Sequence, residues 1–163
     1  MHKLRRMDKA ITNVSEVKAI LREAKFITLA MSLNDEPYLA TLSHGFDEEK
    51  NCIYFHCARE GKKVEILESN PSVWGQALVD GGYQQGSCDH LFRTAQFHGV
   101  VSFVEDVSEK RHAIEILIRH LDDNPEVVIS KQITAHSIGR VLIGRVNIDF
   151  LSGKKADKIV VQG

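Results

Sequence analysis

Cysteine is scarce in this chain. Only Cys52, Cys57 and Cys88 are present, and an odd number without Cys-x-x-Cys spacing argues against the disulfide framework of a small secreted protein. A cytoplasmic protein with free thiols is the expectation. An excess of either charge is also missing. The 21 Lys and Arg against 22 Asp and Glu leave a net charge of −1, whereas nucleic-acid affinity rests on a surplus of basic side chains. No apolar run is long enough to read as a membrane span. The basic start His2-Lys3-Leu4-Arg5-Arg6 lacks the apolar segment that follows it in a secretory signal. Repeats, low-complexity tracts, linkers and a dinucleotide-binding glycine fingerprint are absent too.

What is there suits a globular fold. Apolar residues make up 43% and charged ones 26%, and residues 1–163 fit one domain whose core can form without disulfides or a structural metal. Asn13 followed by Glu16 predicts a capped helix start, and Val14, Val17, Ile20, Leu21 and Ala24 recur at helical spacing. Strands are predicted over 26–32, 38–46, 52–57, 72–80, 93–105 and 140–150, the fifth bulged at Gly99. Short turn chemistry at 34–37 makes the first two a hairpin. Helices are predicted after Gly61, ending at Asn70-Pro71, and from Asp106 or Ser108 to about 120. A further short helix starts at Asn124-Pro125. Residues 81–91 read as a long loop. Successive antiparallel strands with helices at the connections predict an α+β barrel.

The most informative segment runs from Tyr54 to Pro71. A strand ends in His56-Cys57-Ala58, a glycine (Gly61) loosens the turn, and Lys62 and Lys63 open a helix. Unpaired N–H groups at a helix start favour an anion, and two ammonium groups add to that preference. Phosphate is the natural guest; a solvated lysine pair is the plainer alternative.

This segment resembles the signature of pyridoxamine-phosphate-oxidase-related flavoproteins, particularly the branch containing the nitroimidazole-resistance proteins. The resemblance runs colinearly through Arg5 to Thr12, Pro37 to Phe46, Arg93 to Val101 and Val146 to Lys155. It implies a six-stranded antiparallel split β-barrel with peripheral helices. It also implies a homodimer with FMN at the subunit interface. By position, Gly61, Lys62 and Lys63 would hold the FMN phosphate. Leu39, Ala40, Thr41, Leu42 and Ser43 would line the ring largely through backbone groups. His56, Cys57 and Ala58 would lead from ring to phosphate. Arg93, Thr94 and Gln96 would reach the flavin, in part from the partner subunit. His56 would stand near the ring as a proton donor. The function implied is an FMN-dependent oxidoreductase, of nitro- or quinone-reductase type, acting on small aromatic acceptors. The alternative is a flavin-binding protein without catalysis, serving as electron carrier or sensor. A barrel taking haem or a deazaflavin, with His56 or His44 offered to haem, is the third reading.

The chain departs from the oxidases proper at Ala40, where they carry an arginine, and at Thr94 and Gln96, where they carry glutamine and arginine. His44, His56, His90 and His98 are split between faces by strand alternation, so no metal site is expected. Trp74, on a strand, reads as core or dimer interface before ligand platform.

Overall fold

The structure, a computed structural model, describes residues 6–157, so the basic segment up to Arg5 lies outside the described residues. After a single 3₁₀ turn over Met7–Lys9 comes a two-residue strand β1 (Ala10–Ile11). Helix α1 (Val14–Glu23) follows, with the Asn13 side chain accepting from the Ser15 N–H. Glu16 does not close a capping box; its carboxylate accepts from Lys155 Nζ at 2.7 Å. The buried stripe is Val17, Ile20 and Leu21, as the helical spacing predicts.

Strands β2 (Phe26–Leu33) and β3 (Glu36–Ser43) form the expected hairpin, turning at Asn34 and Asp35, both with positive φ. The single strand expected over 38–46 is interrupted at His44, after which β4 (Gly45–Asp47) pairs elsewhere. Then come β5 (Cys52–Cys57), α2 (Lys62–Ser69), β6 (Ser72–Gln84) and β7 (Asp89–Phe103). Residues 81–91 are not a loop. The hairpin continues through them past a register shift between Asp80 and Gly82 and turns only at 85–88. Helix α3 (Val107–Leu121) starts at Asp106, whose side chain accepts from the Glu109 N–H at 2.8 Å. Two short helices, α4 (Pro125–Gln132) and α5 (Ala135–Arg140), precede a long last strand β8 (Leu142–Ala156).

The result is an α+β fold with an antiparallel sheet of eight strands, ordered β3-β2-β6-β7-β8-β5-β4, with β1 added beside β8. Two more strands are present than the pattern predicts. One arises from the break at His44, which alternation alone does not reveal, and the other from the short β1 pairing. That break also closes the barrel. β3 and β4 lie at opposite ends of the strand order yet are one residue apart in the chain, so the sheet must curl until its ends meet. β3 comes alongside β5 there without pairing with it, and the barrel is split along that line.

Inward-facing side chains of every long strand fill the barrel, including Ile27, Leu29, Ile53, Phe55, Val73, Ala77, Ala95, Phe97 and Val146. Ile20, Leu21, Ile66 and Leu67 contribute from α1 and α2. Two rings lie across glycines on neighbouring strands: Gly75 opposite Phe97 and Gly144 opposite Phe55. A Cβ added at either glycine would run into the phenyl ring. A second cluster of Cys52, Tyr54, Val104, Ala113, Leu117 and Ile143 seats α3 on the outer side of β5 and β8. His44 is wholly buried at the break. Its Nε2–H donates to the Leu21 carbonyl at 2.8 Å, its ring lies 4.7 Å from that of His120, and its Nδ1 has no partner. Burial pushes its pKa down to about 4. Among the described residues no helix is long and apolar enough to cross a membrane.

Candidate functional site

The turn leaving β5 is built for close approach from outside. Gly61 has φ +130° and ψ 164°, a conformation that side-chain-bearing residues avoid, and its α-carbon faces open space. The Gly61 carbonyl accepts from the Val64 and Glu65 N–H groups. The N–H groups of Lys62 and Lys63, in the first turn of α2, are left without an intrahelical acceptor. Tyr38, Ala58, Glu60, Gly61, Lys62, Lys63 and Val64 enclose a cavity of about 210 Å³ at this end of the helix. Lys62 Nζ lies 5.1 Å over the Tyr38 ring and 3.0 Å from Glu36 Oε1. That exposed ion pair is weak enough to yield to a stronger anion. Arg59 anchors the turn from behind, donating to the carbonyls of Gly139 at 2.5 Å and Arg140 at 3.3 Å.

Beside the turn runs β3. It pairs with β2 along one edge only, so alternate N–H and C=O groups on the edge facing β5 have no strand partner. Leu39, Thr41 and Ser43 face outward, opposite Ala30, Thr28 and Phe26, and the Thr28 and Thr41 hydroxyls are 3.2 Å apart. Ala40 and Leu42 turn inward and pack on the barrel core, so only their backbone is available to a ligand. On β5, Cys57 also packs on the core, and burial raises its thiol pKa, with Lys63 opposing. His56 faces outward from the same strand. Its side chain makes no hydrogen bond among the described residues, and it borders a pocket lined by Ile114, Leu117, Ile118, Leu121 and Val141.

The residues expected on β7 divide. Gln96 meets Leu39, Thr28, Ala30, Trp74 and Gln76 around an open cleft of about 340 Å³ on the outer sheet face, and its Nε2 donates to Gln76 Oε1 at 3.2 Å. Thr94 is nearly buried and donates to the Lys154 carbonyl at 3.4 Å. Arg93 is held by Glu23 at 2.7 Å. The lysine turn, the β3 edge and His56 therefore flank the split, and Gln96 shares the outer cleft with Leu39 of β3, whereas Arg93 and Thr94 lie further off across β2 and β6.

Sequence reasoning missed Tyr38, Glu36 and Arg59, which shape and brace the turn, because each reaches it through the tertiary fold. The histidines lie apart from one another, each with its own surroundings. His90 pairs with Asp80 at 2.7 Å, His98 with Asp149 at 2.6 Å, and His44 is sealed away from any haem face. Among the described residues no three His, Cys, Asp or Glu side chains converge as a metal set.

Fold and site together define a split β-barrel protein with an anion-receptive turn beside an open strand edge. More particularly, the chain belongs to the pyridoxamine 5'-phosphate oxidase family, whose sequence model matches residues 13–155. Among solved structures, a candidate 5-nitroimidazole antibiotic resistance protein from Bacteroides thetaiotaomicron is 26% identical, with a TM-score of 0.75 over 90% of this chain and 86% of that one. A flavocytochrome from Azotobacter vinelandii shares the fold at a TM-score of 0.81 and 17% identity, over 96% of this chain and 73% of that one. A FAD-binding protein from Mesorhizobium loti shares it at 0.67 and 20% identity, over 91% of this chain and 98% of that one. No curated protein matches the sequence.

Proposed function

We propose that this protein binds FMN across the barrel split and works as a flavin-dependent oxidoreductase of small aromatic acceptors. The observation that carries the reading is the Gly61–Lys63 turn: an open glycine, two helix-start N–H groups and two ammonium groups around one cavity, in a chain of this family. That set suits one terminal phosphate, the group that FMN presents at the end of its ribityl chain.

A bound flavin would supply the two-electron chemistry, and the protein its binding, orientation and electrostatic tuning. Lys62 would leave Glu36 to meet the phosphate. The unpaired N–H groups of the β3 edge suit the pyrimidine side of the ring, where donors stabilise the charge of a reduced flavin. His56 stands free on the outer face of β5 and is suited to hand a proton to an acceptor resting in the apolar pocket beside it.

The same reading takes the protein as a homodimer. Phe26, Leu39, Trp74, Leu78 and Val100 are 58%, 65%, 43%, 51% and 44% exposed on the outer sheet face, an apolar patch that a second copy would cover. Gln96, on a strand separated from β3 by β2 and β6, would then serve the partner's site.

The test is an absorbance titration with FMN and with FAD, on the wild type and on a Lys62→Ala/Lys63→Ala variant. Two lost charge-assisted phosphate contacts should weaken FMN binding by about two orders of magnitude. Tight FAD binding with indifference to FMN would overturn the cofactor, and no flavin binding would overturn the function.

A further inference from the structure

Helix α3 carries two apolar stripes. Ala113 and Leu117 are buried against β5 and β8. Ile114, Ile118 and Leu121, at helical spacing on the adjoining side, line a cavity of about 470 Å³ instead. Across it stands the α4–α5 segment, which rests lightly on the fold: α4 buries no residue, and Ile133 and Ile138 are the buried anchors on either side of Thr134. None of the residues lining the cavity belongs to the apolar patch of the outer sheet face that a second copy would cover. The polar groups here are few. The Ser137 hydroxyl is spent within the turn between α4 and α5, donating to the Gln132 carbonyl at 2.7 Å and accepting from the Thr134 N–H at 2.9 Å. Asp122 is the one carboxylate in the wall, and no lysine or arginine lines the cavity. Its Oδ1 accepts from the Asn124 N–H at 2.8 Å, and it has no ion-pair partner among the described residues. Arg119, one turn back, pairs with Glu126, and Lys25 donates to the His120 carbonyl at 2.8 Å.

We propose that this cavity binds a planar aromatic cation of two or three rings, and that Asp122 sets its preference for positive charge. The volume suits a ligand of that size. From Ile114 to Leu121 the helix rises about 10 Å, so the stripe gives fused rings one continuous apolar face on which to leave water. The positive end turns to Asp122. No protein cation neutralises that carboxylate, and beside apolar walls its attraction is screened less than in open water. The Gln132 amide oxygen is placed to accept from an N–H of the ligand. An anion of the same shape would meet the Asp122 charge and no lysine or arginine, so the cavity discriminates by sign. The fold fixes Asp122 in place, since it caps α3 and its N–H donates to the Ile118 carbonyl at 2.9 Å. His56 borders the same cavity. Where the flavin reading holds, on which this last step alone rests, the acceptors seated beside His56 are cationic nitrogen heteroaromatics, not aromatic acids.

The test titrates the full-length protein, as purified, by isothermal calorimetry with two probes built on the same rings: aminoacridine, a cation in neutral solution, and acridine carboxylate, an anion. The expected result is one cation bound per chain, about tenfold tighter than the anion, with attraction in one case and repulsion in the other. Asp122→Asn, which keeps the helix cap and an oxygen for the Asn124 N–H, should bring the two probes within about threefold of each other. Asp122→Lys should reverse their order. Asp123→Asn, which removes the neighbouring carboxylate outside the cavity, should leave the preference as it is. Ile118→Trp, which fills the cavity, should weaken the cation about tenfold or more. Absence of binding, equal affinity for the two probes, a preference that survives Asp122→Asn, or binding undiminished in Ile118→Trp would overturn the proposal. A chain that takes the cation but no FMN would sink the flavin reading and leave this site standing; FMN bound without the cation would do the reverse.

Discussion

β3 and β4 are two halves of one extended stretch, 36–47, and they have opposite fates. No residue of β3 is buried, while Gly45, Phe46 and Asp47 of β4 all are. β4 is pressed beneath α3, where a Cβ on Gly45 would come within 2.7 Å of Ile116 Cγ2. Its Asp47 accepts from His112 Nε2 at 2.6 Å and from the Lys50 N–H at 3.1 Å. Burial favours the protonated form of Asp47, but these donors outweigh it and hold the pKa below the usual carboxylate range. β3 keeps one edge unpaired and its outward side chains in solvent. The half that closes the barrel carries the stability, and the half left at the split is free to carry a ligand.

The largest effect that sharpens this contrast is Phe46→Ala. It removes a ring only 8% exposed and should lower unfolding free energy by about 3–5 kcal/mol in denaturant titration. Next comes the junction itself. His44 stays neutral when folded, down to about pH 4, but takes a proton near pH 6.5 when unfolded. Stability is therefore lost as pH falls from 6.5 through 4, by roughly 3 kcal/mol from this group. The His120 pKa, lowered by burial beside it, acts in the same direction. The slope of stability against pH should flatten in His44→Leu; an unchanged slope would remove His44 as its cause. The smallest effect belongs to β3: Leu39→Ser, at a position 65% exposed, should change stability by less than about 0.5 kcal/mol. A loss as large as that for Phe46 would erase the division.

Much of this was legible in sequence because it is local. The helical stripe of Val17, Ile20 and Leu21, the buried run of β5 and the Gly61-Lys62-Lys63 turn all announce themselves within a few residues. The bulge at Gly99 did too. The break at His44 was not legible, since Tyr38 to Phe46 reads as one extended run and only the closure of the sheet requires it to part. Residues 81–91 read as a loop because glycines cluster there; pairing across the hairpin overrides that weak preference. On the site side, Tyr38 and Arg59 act through partners many residues away, Lys62 and Gly139 respectively. The pairing of Asp149 with His98 gave no sign, because it depends on a register slip between two strands.

The phenyl rings laid across Gly75 and Gly144 bear on how such a chain can change through descent. Neither glycine tolerates even a methyl group while its ring is in place, and neither ring can shrink without opening a void in the barrel. Each pair is thus a lock in which one residue's freedom is held by another on the neighbouring strand. Divergence along this lineage has to cross such a position by exchanging both partners together, which makes the two glycines slower to vary than their lack of a side chain suggests.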